Sequence, residues 1–146
     1  MLHFPKLHSG SVKIDGAWAT MISLLRRFVE HFPVTNAARE TIPWGSLVCV
    51  GSLDRTVDMA LATSAGRARW VGVAAKDSED EEQLVMATGN IARVRMETGL
   101  TPSFNEPVFV SASTEGTATN VQPVGGGEFV AQVGWIWDAS IYDDGT

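Results

Sequence analysis

Gly45-Ser46-Leu47-Val48-Cys49-Val50 is echoed by Asn105-Glu106-Pro107-Val108-Phe109-Val110. Each stretch leads through a polar, turn-rich segment to an apolar run with Gly at its centre. These runs are Trp70-Val71-Gly72-Val73-Ala74 in the first half and Gln132-Val133-Gly134-Trp135-Ile136 in the second. The intervals nearly match, with 23 positions from Val48 to Val71 and 25 from Val108 to Val133. Between the halves, Gln83–Thr88 and Ile91–Glu97 read as two strands. The intervening Gly89-Asn90 suits a type II′ turn, whose first central residue takes positive φ. Further strands are expected at Leu47–Val50, Val57–Leu61, Arg69–Ala74, Pro107–Ser111, Thr117–Val121 and Phe129–Trp137. In the last, Phe129, Ala131, Val133, Trp135 and Trp137 alternate onto one face, which predicts that both tryptophans enter the core. Short strands at regular spacing, separated by Gly, Pro, Asn and Ser, predict a mainly β domain over residues 45–140. It would be a compact sandwich or barrel-like module with a central hairpin.

Upstream of that domain, residues 1–14 read as an arm. They mix Leu2, Phe4, Leu7, Val12 and Ile14 with Pro5, Ser9, Gly10 and Ser11, and no helical period fits them. Residues 15–33 carry spacings of three and four, in Trp18, Met21, Ile22, Leu25, Val29 and Phe32. The spacing predicts one amphipathic α-helix, capped by Asp15 and ended by Pro33.

The chain has 146 residues and a net charge of −6, which predicts one domain and argues against nucleic-acid binding, since phosphate contacts need a basic face. Arg67 and Arg69, and Arg93 and Arg95, make small basic patches at most. The single cysteine, Cys49, excludes an intramolecular disulfide and a cysteine-based zinc site, and its apolar surroundings predict a buried thiol. The run from Gly16 to Val29 is too short and too charged to span a membrane, and Met1–Ile14 lacks the apolar stretch of a secretory signal.

Candidate chemistry is sparse. Asp77-Ser78-Glu79-Asp80-Glu81-Glu82 could bind a divalent cation, but it lacks the spacing of an EF-hand loop and reads as a solvated loop. His3, His8 and His31 form no metal signature, and Gly125-Gly126-Gly127 lacks the Lys-Ser/Thr ending of a phosphate loop. There is no Gly-x-Ser-x-Gly elbow. Asp54, Asp58, Glu97 and Glu106 could pair as in a glycosidase, though nothing in the sequence selects two of them. Lys76 lacks the flanking residues of a lipoyl or biotinyl carrier turn. No catalytic residue, cofactor or metal ligand is therefore expected.

The stretch from Pro107-Val108-Phe109-Val110-Ser111 through Gly116-Thr117-Ala118-Thr119 to Val133-Gly134 resembles a module of tailed-bacteriophage virion proteins. The stretch from Gly45-Ser46-Leu47-Val48 to Val71-Gly72-Val73-Ala74, with the acidic loop behind it, resembles the capsid-cement (head decoration) family. The resemblance covers about residues 45–139. It implies a non-enzymatic protein on the outer surface of a phage capsid. Such proteins commonly form homotrimers that clamp adjacent subunits of the major capsid protein. Leu2, Phe4 and Leu7 of the arm, with Trp18 and Trp44, are the candidate interface residues. The arm could add a strand to a capsid sheet edge. A second reading is a tail- or fibre-associated module that binds a host receptor through loops such as Thr114–Thr119 or Val124–Glu128. An enzyme acting on glycans is the third.

Overall fold

A computed structural model describes residues 17–23, 30–88 and 91–143, and side-chain surroundings within 33–86 and 93–138. Ten strands are present: β1 (Ala17–Ser23), β2 (Glu30–Asn36), β3 (Leu47–Val50), β4 (Thr56–Met59), β5 (Trp70–Ala74), β6 (Gln83–Thr88), β7 (Ile91–Met96), β8 (Pro107–Val110), β9 (Ala118–Thr119) and β10 (Gln132–Asp143). They close into two five-stranded barrels. The first runs β2-β4-β3-β5-β6, and the second runs β7-β9-β8-β10-β1. The mainly β expectation holds.

The expected helix over 15–33 does not form in the described residues; Ala17–Ser23 and Glu30–Asn36 are strands. The three-and-four spacing in this stretch also fits a period of two over short lengths, as in Trp18-Thr20-Ile22. Aromatic and β-branched residues favour the pleated form once partner strands exist. β1 has partners on both sides, β7 and β10, so tertiary pairing decides the conformation.

The central hairpin is also overturned. β6 and β7 lie where expected, yet they do not pair with each other. β6 pairs with β2 and β5, and β7 pairs with β1 and β9. β6 belongs to the first barrel and β7 to the second. The turn residues Gly89 and Asn90 lie outside the described residues. β1 and β2 likewise belong to different barrels, β1 antiparallel to β7 and β2 antiparallel to β6.

The sequence echo is a structural repeat. The first barrel pairs β2 parallel to β4, then β4, β3, β5 and β6 antiparallel in turn, and β6 antiparallel to β2. The second repeats those directions with β7, β9, β8, β10 and β1. Even the irregularity recurs. Leu47, Val48 and Cys49 face Val73, Gly72 and Trp70, while Pro107, Val108 and Phe109 face Trp135, Gly134 and Gln132. Val71 and Val133 are thus skipped as matching β-bulges. Gly45 (φ 84°) and Asn105 (φ 67°) both take the left-handed conformation before β3 and β8, as Arg39 and Gly99 do after β2 and β7. Gly45 N–H donates to Ala74 O, and Asn105 N–H donates to Ile136 O at the same place, both at 2.8 Å.

One bulge corrects the reading of the last strand. Past Val133 the faces exchange, so Ile136 is buried (1% exposed) and Trp137 turns outward (51% exposed). A one-residue offset moves every following side chain to the opposite face.

The interior of the first barrel is filled by Val48, Val57, Met59, Ala74, Leu84 and Met86. Leu47, Cys49 and Val73 point the other way and join the second barrel's Val94, Val108 and Ile136 in one cluster. β3 therefore buries both faces, which explains its continuous apolar sequence. Main-chain bonds complete the junction. Leu47 N–H donates to Gly116 O, Gly116 N–H to Ala60 O, and Arg95 N–H to Gly45 O.

Candidate interaction surface

Three groups of side chains stand outside the cores: an acidic clamp, a charged junction and a set of exposed apolar residues. The acidic loop 77–82 is the clamp. Its carboxylates accept hydrogen bonds from the connector that precedes β3. Asp77 Oδ1 accepts from Trp44 N–H (2.7 Å), Asp80 Oδ1 from Arg39 N–H (3.1 Å), and Glu79 Oε2 from the Thr41 hydroxyl (2.9 Å). Fully buried Asn36 holds the same two segments from inside. Its amide donates to the carbonyls of Glu40, Ser78 and Glu79 and accepts from Ala38 N–H. Sequence reading missed this clamp because the partners lie about forty positions apart and no local pattern announces them.

The charged junction lies where loops of the two barrels meet. Arg67 donates through Nε and Nη2 to Met59 O, at 3.0 and 2.8 Å. Its guanidinium lies 3.7 Å from Asp58 and 3.2 Å from Glu115 of the β8–β9 loop. A hydrogen bond from Arg67, reinforced by its charge, holds the Glu115 carboxyl below the usual range. Glu40 is pushed the other way, mainly by its hydrogen bond to Glu115. Cys49 is buried beside this junction, and loss of solvent raises its thiol pKa. That surrounding suits the expected inert thiol, because the thiolate is the reactive form. Near the second barrel, Glu97 accepts from the hydroxyls of Ser111 and Ser113, and Ser111 Oγ in turn accepts from the main-chain N–H of Ser113 and Thr114. This network ties down the start of the β8–β9 loop.

Of the exposed large apolar side chains, Val50 and Leu53 lie at the β3–β4 turn of the first barrel, and the others lie on the second barrel, Trp137 on β10 and the rest on loops. Phe104 (67% exposed) precedes β8 in a turn whose Asn105 bonds to Ile136, next to exposed Trp137. Glu106 accepts from Ser103 N–H (2.6 Å) and from the Asn120 amide (3.0 Å), which brings Val121 to the same turn. These bonds lower the Glu106 pKa, the Ser103 N–H contributing most. Farther along, Val124 (87% exposed), Phe129 and Val130 occupy the β9–β10 loop. Gly125 N–H bonds to Glu128 Oε2, and Phe129 N–H bonds to Ala62 O, so the loop is pinned across the first barrel.

The structure separates the five candidate interface residues. Trp44 is buried (7% exposed), its indole spent inside the chain. Trp18 lies in β1, facing Arg95 on one side and Tyr142 on the other, with its side chain outside the description. Leu2, Phe4 and Leu7 lie outside the described residues. Of the loop Thr114–Thr119, only Thr114 and Glu115 are exposed, and Gly116–Thr119 are buried. Among the described residues, no group of three or more His, Cys, Asp or Glu is placed to hold a metal ion. Neither a protein-family model, a curated protein nor a solved structure matches the chain.

Proposed function

We propose that this chain is a structural, non-enzymatic virion protein that decorates a phage capsid and stabilises it by bridging major capsid protein subunits on the outer shell. One observation carries the reading: large apolar side chains stand exposed on the second barrel, most of them on loops that the protein's own hydrogen bonds hold in place. Phe104 lies in the Glu106 turn, whose bonds to Asn120 and Ile136 reach the neighbours of Val121 and Trp137, and Val124, Phe129 and Val130 occupy the β9–β10 loop. Clustered exposed apolar groups on a rigid scaffold suit a protein-binding surface. The partner is the major capsid protein, and a homotrimer is the assembly in keeping with the resemblance. Repetition around a shell would turn weak single contacts into strong retention.

Copy number in purified virions, measured by quantitative mass spectrometry against the major capsid protein, tests this. A ratio near parity is expected. A few copies per particle would favour the tail or fibre alternative, for which the Val124–Glu128 loop would be the receptor contact. Absence from the particle overturns both.

A further inference from the structure

We infer that β1 is an exchangeable strand: the slot between β7 and β10 accepts β1 from a second copy of this chain. The repeat shows why β1 is unusual. The first barrel is built from five consecutive strands, β2 to β6. The second takes four consecutive strands, β7 to β10, and its fifth comes from upstream of the entire first barrel. β1 stands where β6 stands in the first barrel, antiparallel to both neighbours.

Without β1, two long edges would face each other across an empty slot. β7 would expose Ile91–Met96, and β10 would expose the edge from Gly134 to Asp143 that β1 now covers. Unpaired edges of this kind recruit a strand of matching direction and register. β1 from another copy supplies the same ladders as β1 from the same chain, so contacts hardly distinguish the two states. Chain connection and concentration then decide, as in other domain exchanges. Six positions, 24–29, join β1 to β2, where two positions, 89–90, join the facing strands β6 and β7. Such a link reaches up to about 20 Å when extended. This inference rests on topology and does not require the virion role.

The test uses the full chain with its native cysteine removed (Cys49→Ala) and single cysteines placed at facing positions. Thr20 faces Arg93 across the β1–β7 ladder. A Thr20→Cys copy is mixed with an Arg93→Cys copy, concentrated and oxidised. The expected result is a mixed disulfide of twice the chain mass that increases with concentration. It should be absent when Thr20→Cys is paired instead with Asp54→Cys, on an exposed turn of the first barrel. The double variant, oxidised when dilute, should close within one chain and reports a correctly formed ladder. Sedimentation of the unmodified chain provides an independent reading, with mass rising above that of one chain as concentration rises. A chain that remains monomeric throughout overturns the inference. So does an oligomer that gives no mixed disulfide while the double variant closes.

Discussion

Asn36 shows how one buried side chain can organise a surface loop. Its amide meets three carbonyl oxygens and one N–H, so it is satisfied in full. Replacing it with Leu removes four hydrogen bonds at roughly 1 kcal/mol each, which predicts a loss of about 4 kcal/mol, read as a lower denaturant midpoint. Met96 holds the matching place in the second barrel and lies in the core, so the repeat has exchanged a polar tether for an apolar one. The Arg67–Glu115 pair gives a second prediction. Because the Glu115 pKa is lowered, its contribution to stability exists above the range in which an unfolded glutamate titrates. It is lost as pH falls through the depressed value. Glu40 is raised, so its protonated form contributes at low pH and that contribution is lost as pH rises through its folded pKa. Both side chains are well exposed, and the net effect on stability is small. The sharper readout is carboxyl NMR: in Arg67→Gln, Glu115 should titrate at higher pH than in the wild type. An unmoved midpoint would exclude the pairing.

Among the elements, β1 and the β8–β9 turn are the most sensitive. Thr20 lies in the middle of β1, with Arg93 facing it on one side and Asp138 on the other. Proline there removes a ladder N–H from a strand paired at both edges. We expect a loss of about 3 kcal/mol or more, seen as a large drop in thermal midpoint. Gly116 takes φ 73°, and a Cβ there would meet the Ser46 side chain at 3.1 Å and Met59 sulfur at 3.2 Å. Gly116→Val should therefore cost a few kcal/mol, about 1–2 from the backbone conformation and the rest from crowding between the barrels. A Gly116→Val protein that melts with the wild type would show that the barrels do not depend on this close approach.

At the scale of the whole molecule, two small barrels have two apolar clusters, and β3 contributes to both, Val48 to one and Leu47 and Cys49 to the other. Their closed sheets leave contacts with other proteins largely to loops and side chains. Phe104→Ser combined with Val124→Ser removes exposed groups, and stability should change by no more than about 0.5 kcal/mol per site. Capsid occupancy of the double variant should fall well below wild type when both are added to undecorated shells and quantified by gel. Unchanged occupancy would move the contact surface away from these loops.

Much of this architecture could be read from local sequence. The echo of Leu47–Val50 in Pro107–Val110, and of Val71-Gly72 in Val133-Gly134, specifies two copies of one unit, because small residues and bulges recur wherever the same backbone path recurs. Eight of the ten strands fall close to the segments that apolar patterning marks. Local pattern could not choose partners. Trp18, Met21 and Ile22 suit a helix or a strand, and only the waiting edges of β7 and β10 make them a strand. Gln83–Thr88 and Ile91–Met96 suit a hairpin, and only the ladders with β2 and β1 draw them into separate barrels. The outward turn of Trp137 and the clamp around Asn36 depend on groups distant in sequence. Tertiary structure decides these features because hydrogen-bond ladders and buried contacts are satisfied by whichever partner the closed barrel brings alongside, whatever the separation along the chain.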